Sequence, residues 1–513
     1  MPIRKRPKRL CGDTHKLREV AAPQAPRVNQ VHSPSTTRVN ENRMRLATIA
    51  SVSLAALALA GCVTPRKADL SLPTAYEAPV APPGAIALDT WWTAFDDPDL
   101  TTLIEQALVR NPDVRTAKSR LDEIKAQKMS AILQYLPTGN AVLNGRRTTT
   151  EQLSGTLANI PGFSTSGTSE SYTGNFNVSW ELDPFRATAA IRSANAEEDA
   201  VRFAYEAARA SIAAQTADAW FQARGLSIQL ADAQETARIQ TQLYEIASKR
   251  AAVGLSATTE PDRVAGDLAQ AQAQVAALEA QLQVQKRAIL ILAGRVVDPT
   301  SSIVAPPNVG QAPAVPTLIP SDLLQRRPDV RQAQQRLRSA VGQQKLAVLA
   351  FFPTFTLSPG LGWSKIIQPS FESETQNWSI GGSVTQPILS IPRLLADLKV
   401  KDARTEQAVT AYEKAVQTAF QESEAALVNL DADRRRVTLL TDGEVRAARA
   451  YKASATGYAR GLTDLSTTLS AERSWRAVRA QLTAAQVQAL RRSVQAYKAL
   501  GGGWASQTYA KAR

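Results

Sequence analysis

Hydrophobic positions along this chain keep two different periods, and the switch between them marks out its architecture. Leu100, Leu103, Ile104, Ala107 and Leu108 hold the three–four spacing of one helix face. Further on the period falls to two: Tyr172, Gly174, Phe176, Val178 and Trp180 alternate with Thr173, Asn175, Asn177 and Ser179. Phe355, Leu357, Leu361 and Trp363 alternate in the same way with Thr356, Ser358, Gly360 and Gly362, and Trp378, Ile380 and Val384 with Ser379, Ser383 and Thr385. Ala141 and Leu143 mark a fourth, weaker candidate. The predicted strands are about 138–150, 172–182, 354–364 and 378–388. Each approaches the ~9–11 residues of a tilted membrane-crossing strand, with one apolar and one polar face. Ser/Thr/Gly-rich residues 149–171 and the shorter 364–377 read as exposed loops, and Trp180, Trp363 and Trp378 near strand ends suit an interfacial girdle. A soluble hairpin lying on a sheet would show the same alternation.

Elsewhere the chain reads as helix. Residues 185–260 and 393–513 contain no proline and are rich in Ala, Gln, Arg and Leu. A helix of about 65 residues would reach about 100 Å at ~1.5 Å per residue. No compact core covers such a length, so these helices must lie along other long helices. Pro112 and Pro328 suit a first helical turn, where the missing N–H has no intrahelical partner to lose. Gly254 and Gly461, near the ends of the long runs, mark helix–helix turns.

The pattern occurs twice. Arg110-Asn111-Pro112-Asp113-Val114-Arg115 returns as Arg326-Arg327-Pro328-Asp329-Val330-Arg331, a shift of 216 that also relates Pro137 to Pro353. Tyr244, Gly254, Leu255 and Gly294 return as Tyr451, Gly461, Leu462 and Gly501, a shift of 207, so the second copy is about nine residues shorter in between. Two long copies make a duplicated domain, since a solenoid needs three or more short repeats. Residues 91–295 and 321–502 are the two repeats, and the six prolines of 296–320 mark an inter-repeat linker packed along the surface without regular structure. Residues 503–513 form a short tail.

Charge and composition narrow the chemistry. The formal net charge is +14, of which +7 lies in residues 1–43; from Cys62 onward 49 basic residues face 43 acidic ones. That is an ordinary surface without a phosphate footprint, so no nucleic-acid partner is expected. Both histidines, His15 and His32, and Cys11 precede residue 44, and beyond Cys62 there is neither histidine nor cysteine. The body therefore lacks a Ser-His-Asp or Cys-His nucleophile, a His-bearing zinc site and a disulfide framework. These absences leave a carboxylate- or lysine-based enzyme open, but no constellation of residues supports one, and no enzyme activity, cofactor or metal is expected.

Met44-Arg45 leads into an uncharged run from Leu46 to Ala60 that closes on Leu59-Ala60-Gly61-Cys62. A cationic start, an apolar core and small residues before a cut are the parts of a secretory signal. About 15 apolar residues fall short of the ~20 that span a bilayer. Residues 44–61 therefore read as a signal peptide, and the ending resembles the bacterial lipobox, with cleavage between Gly61 and Cys62 and acyl chains on Cys62. Several acyl chains would anchor durably, and Val63 in place of aspartate favours outer-membrane sorting. Residues 1–43 read as a disordered basic extension ahead of the true start at Met44, or as a long cationic n-region. Residues 62–90 read as a Pro/Ala-rich tether.

Two hairpins, long helices, duplication and the lipobox together resemble the TolC-like outer-membrane factors, of the NodT/OprM efflux-lipoprotein type. The motif that carries the match is Trp91-Trp92-Thr93-Ala94-Phe95-Asp96-Asp97-Pro98-Asp99-Leu100, continuing through Leu103-Ile104-Glu105-Gln106-Ala107-Leu108 to Asn111-Pro112-Asp113-Val114. The resemblance implies a mainly α fold with a membrane β-barrel portion. Each chain would give four β-strands and an internally duplicated set of long helices. A homotrimer would then form a 12-stranded barrel in the outer-membrane lipid, continued by a 12-helix periplasmic tunnel. It implies the passive exit duct of a tripartite efflux system for small molecules (drugs, toxic compounds), joined to a periplasmic adaptor (a membrane fusion protein) and a proton-driven inner-membrane transporter. The same fold serves type I protein secretion, and a lipid-anchored periplasmic coiled-coil scaffold is a further reading. The resemblance also carries over Val253-Gly254-Leu255 and Arg460-Gly461-Leu462 as adaptor-docking tips. The gate would lie just past the second tip, where Asp464, Thr467 and Ser470 stand in a stretch the family often fills with acidic residues. The expectation is a gate held by hydroxyl contacts and by Leu465 or Leu469 rather than by a charged ring.

Overall fold

The computed structural model describes residues 68–78, 88–151, 167–315, 320–369 and 371–502. All of them belong to the unit Val63–Arg513. The signal peptide and the Gly61–Cys62 cleavage site lie outside the described residues.

Seven α-helices longer than one turn are present among the described residues: α1 (Pro98–Arg110), α2 (Pro112–Leu133), α3 (Pro184–Ala252), α4 (Glu260–Leu292), α5 (Pro328–Leu349), α6 (Ile391–Ala459) and α7 (Leu465–Ala499). Six of them carry proline at the first or second position, where a fixed φ is already helical. Side-chain caps reinforce the starts: Asp97 accepts from the Leu100 amide at 3.0 Å, Asn111 from Asp113 at 2.8 Å and Asp183 from Arg186 at 2.8 Å. The two long helices, α3 and α6, each contain 69 residues, about 100 Å at ~1.5 Å rise. Each is covered along its length by shorter helices: α2 and α4 lie along α3, while α5 and α7 lie along both α6 and α3. Small residues let the helices close up. Ser193 on α3 donates to the Ser339 carbonyl on α5 at 3.1 Å, and a Cβ on Gly342 would stand 2.7 Å from the Ser193 Cβ.

The strands are β1 (Thr138–Thr150), β2 (Gly167–Glu181), β3 (Thr354–Gln368) and β4 (Phe371–Thr385). They form one antiparallel sheet in the order β1-β2-β3-β4. The register aligns the apolar alternation into rows: Ala141 opposes Phe176, Phe176 opposes Leu361, and Leu361 opposes Trp378. Because strand side chains alternate, Asn177, Gly360 and Ser379 then share the opposite face. Three strands depart from their expected bounds. Both β2 and β4 begin well before 172 and 378, β3 continues past 364, and β4 stops at Thr385 rather than 388. Part of the expected loops is therefore strand. The polar ends stay in the ladder because they pair across it, as in Arg147–Glu170 at 3.6 Å and Lys365–Glu372 at 2.6 Å. As a result Trp363 and Trp378 sit mid-strand, and of the three tryptophans only Trp180 is near a strand end, where its indole donates to the Tyr135 carbonyl at 3.1 Å. The nine-residue difference between the repeats also resolves here. Residues 151–166 connect the first hairpin against only 369–370 in the second, the strand-to-helix connector is 386–390 against 182–183, and β3 has 15 residues against 13 in β1.

Midway down the helices, α4 and α7 end where α2 and α5 begin, and the main core gathers there. Trp91 stacks on Tyr497 at 5.8 Å, and Phe95 packs on Phe221 at 5.0 Å. Asp97 caps α1 and also accepts from the Trp220 indole at 2.8 Å and from Arg224 at 2.5 Å, while Arg224 continues to Asn308. A carboxylate this buried is tolerated because each oxygen has a donor. The Trp91–Leu100 motif is thus a packing device. Two expectations change here. Residues 68–78 of the tether lie on α6, with the Asp69 and Ala78 amides donating at 2.8 Å to Glu413 and Glu424 and Tyr76 stacked on Phe420. The linker contains a helical turn at Thr300–Ser302 and is held by Arg434 and Tyr497, which donate to the Pro313 and Ala314 carbonyls.

Candidate functional site

The helical end remote from the sheet has two tips built alike. Helix α3 runs out at Val253, Gly254 turns with φ +75°, and the Leu255 amide returns to the Arg250 carbonyl at 2.9 Å. Helix α6 runs out at Arg460, Gly461 turns with φ +76°, and the Leu462 amide returns to Gly457 at 2.8 Å. Both are left-handed glycine caps that satisfy the last carbonyls. Nothing lies within 4 Å of where a Cβ would stand on either glycine. Val253, Leu255 and Leu462 are 69%, 71% and 78% exposed, so each tip presents apolar side chains around bare backbone.

Past the second tip, Asp464 caps α7. Its carboxylate accepts from the Thr467 amide at 2.8 Å and the Thr467 hydroxyl at 2.7 Å, which together hold its carboxyl below the usual range. Thr467 and Ser470 are exposed on the same side of the helix. Leu465 and Leu469 are not available to a gate. They are 4% and 1% exposed, buried with Leu243, Ala247, Val264 and Tyr458 inside the protomer. The physical reason is the helix period: residues four apart share a face, and this face is the one turned to α3 and α4.

Behind that apolar cluster lies a polar layer that sequence reasoning missed. Glu472 is 1% exposed and accepts from Gln240 at 2.7 Å, while Arg476 approaches it at 3.7 Å. Burial pushes its carboxyl up, against the pull of Arg476. Arg473 binds both oxygens of Asp267 at 2.7 and 2.8 Å, and Arg479 binds Asp232 at 2.7 Å. Trp475 stacks on Tyr451 at 5.1 Å and donates to Glu444. The layer ties α7 to α3, α4 and α6. A signal for it was present: the first repeat has the uncharged Ala265, Gly266, Ala269 and Gln272 where the second has Glu472, Arg473, Arg476 and Arg479.

An amphipathic sheet with two open edges, continued by helices of about 100 Å, defines a class of protein: a subunit of a membrane channel with a long tunnel. The chain belongs to the Outer membrane efflux protein family, whose profile matches residues 103–295 and 319–502. It is 27% identical over 424 residues to the pyoverdine export outer membrane protein OpmQ of Pseudomonas aeruginosa, covering 82% of this chain and 89% of that one. It is 28% identical over 439 residues to nodulation protein T of Rhizobium leguminosarum bv. trifolii, covering 84% and 92%. Among solved structures it resembles the open state of the Neisseria gonorrhoeae MtrE outer membrane channel, with a TM-score of 0.74, 26% identity, and coverage of 86% of this chain and 98% of that one. The protein is therefore an outer-membrane efflux channel and not an enzyme.

Proposed function

We propose that three copies of this chain close one conduit through the outer membrane and across the periplasm, passing small molecules outward without chemistry of its own. The observation that carries this reading is the pair of open edges on the sheet, β1 and β4. Each leaves a row of backbone N–H and C=O groups that hydrocarbon does not tolerate unpaired. Three sets of four strands would close a twelve-stranded barrel, within the even-numbered series of bacterial barrels. The helices beneath would continue it as a tunnel. The pyoverdine-export relative supports a small-molecule cargo.

The remaining parts follow from this reading. Cys62 carries the acyl anchor in the outer membrane. A periplasmic adaptor docks its helical hairpins on Val253-Gly254-Leu255 and Arg460-Gly461-Leu462, where bare glycine backbone admits close approach. A proton-driven transporter in the inner membrane supplies the energy. Thr467 and Ser470 line the gate with hydroxyls, while Asp464 is engaged in capping α7.

The test is the detergent-corrected mass of the purified mature protein by light scattering. Three chains per particle support the shared barrel. A monomer that stays in solution without detergent removes the barrel and leaves a lipid-anchored scaffold.

A further inference from the structure

We propose that Arg146 rings the outer mouth of the channel with positive charge, one arginine from each of three chains, and that the cargo this mouth favours is a small anionic molecule. The proposal rests on the trimeric reading and deepens it by naming the class of cargo.

The sheet joins its helices at one end and has its hairpin connections, 151–166 and 369–370, at the other, so the connections mark the outer mouth. Its two faces carry charge differently. On the apolar face of Phe176, Leu361 and Trp378, which lipid would cover, the strands hold five charges: Arg147, Glu170, Lys365, Glu372 and Glu374. All five stand in two adjacent rows near the connections, one containing Lys365 and Glu374, the other Arg147, Glu170 and Glu372. They are partnered there, Arg147 with Glu170 at 3.6 Å, Lys365 with Glu372 at 2.6 Å, and Glu374 with the Trp363 indole at 2.8 Å. Nearer the helices this face is uncharged, so the two rows mark the outer limit of the hydrocarbon.

The opposite face would line the bore. It is built mostly of Ser, Thr, Asn and Gly, and its strand residues include two charges, Arg146 and Glu181. Glu181 stands at the helical end, where Arg186 approaches it at 3.3 Å. Arg146 is exposed and shares its row with Ser171, Ile366 and Ser373, level with the charged rows of the other face. The flanking rows on its own side hold Asn144, Thr173, Ser364 and Thr375 below and Thr148 and Ser169 above, so no carboxylate stands beside it. Residues 152–166 and 369–370 contain no charged residue, and Glu151 follows five positions beyond Arg146. Twelve strands ~4.8 Å apart and tilted by ~40° give a backbone radius of about 12 Å. An extended arginine covers about half of it, which brings three guanidinium groups within about 10 Å of one another, near the Debye length at ~0.1 M salt. Their charge does not titrate away at working pH. In a bore walled by low dielectric, fixed charges of one sign focus the field and concentrate counter-ions roughly tenfold or more.

The test is the reversal potential of the purified mature chain in planar bilayers under a KCl gradient. The parent should favour chloride over potassium, more strongly as salt is lowered. Arg146→Gln should remove that preference and Arg146→Glu should invert it, both variants keeping three chains per particle by light scattering because the side chain is exposed. Arg147→Gln, one residue away on the lipid face, should leave the preference as in the parent. Proteoliposomes should also release a carboxylate dye several-fold more slowly through Arg146→Glu than through the parent, with release of a neutral sugar unchanged. A trimeric parent that favours potassium, or Arg146 variants that match the parent in ion preference or in dye release, would overturn the proposal while the trimer stands. Equal shifts in the Arg146→Gln and Arg147→Gln variants would overturn the assignment of the two faces. A monomeric parent would remove the trimeric reading and this ring with it.

Discussion

The side-chain amide of Asn111 donates to the carbonyl oxygen of Leu292 at 3.0 Å, and 207 residues after Leu292 the Ala499 carbonyl receives Arg327 at 3.1 Å. Each residue stands just before the proline that starts a helix, and each satisfies a carbonyl at the end of another. The pairs stack α4 on α2 and α7 on α5, so two short helices act as one column beside each long helix. Asn111 also caps α2 through Asp113. Asn111→Ala should therefore cost about 1–2 kcal/mol, the sum of a lost cap and a lost hydrogen bond. The check is the denaturation midpoint. An unchanged midpoint would mean that apolar packing alone holds the junction.

The four left-handed glycines divide into two kinds. At Gly294 and Gly501 a Cβ would stand 2.6 Å and 2.9 Å from the Cβ atoms of Arg110 and Arg326, with backbone close behind. At Gly254 and Gly461 it would meet nothing within 4 Å. Alanine at the tips should cost only the strain of positive φ, roughly 1–2 kcal/mol. Alanine at the junctions should cost more, because backbone must move as well. Melting of the four variants should separate into these pairs. The tip variants should in addition lose efflux in cells while keeping their oligomeric state, since the backbone they cover is the proposed adaptor contact.

Much of this fold was legible because its signals are local. Proline fixed the helix starts, glycine their ends, and alternation the two faces of the sheet. What stayed hidden depends on partners distant in sequence. Residues 167–171 and 371–377 looked like loop because their apolar alternation fades, yet they hold the ladder through cross-strand charge pairs such as Lys365–Glu372. Leu465 and Leu469 looked like pore residues because they follow the tip; their burial comes from Leu243 and Ala247 on another helix. The Trp91–Leu100 motif gave no hint that Asp97 would meet Trp220 and Arg224.

Asp464 should shape the start of α7 rather than the ion preference of the channel. Both oxygens of its carboxylate are engaged with Thr467, and the group is held below its ordinary range. A depressed carboxyl contributes stability above its unfolded value and loses it as pH falls through the folded one. Asp464→Ala should thus be less stable than the parent at neutral pH, with the gap closing in acid. The reversal potential in a salt gradient should stay unchanged. Strong cation selectivity that disappears in Asp464→Ala would show instead that this carboxylate is part of a charged gate.

Glu472 has the opposite sign. It lies among Gln240, Arg476, Arg473 and Asp267, and burial raises its carboxyl above the ordinary value despite the two arginines. A group raised in the folded state binds its proton more tightly there. Stability then falls as pH rises from the unfolded value through the folded one, and the charged form is the costly one. One Glu472 oxygen and the Nε of Arg476 have no hydrogen-bond partner, so the ion pair does not fully compensate the burial. Glu472→Gln keeps the shape and removes the charge. It should raise the melting temperature at neutral pH, and the gain should vanish in acid, where the parent is already protonated. A variant that melts lower than the parent at every pH would show that the Glu472–Arg476 attraction outweighs the cost of burial.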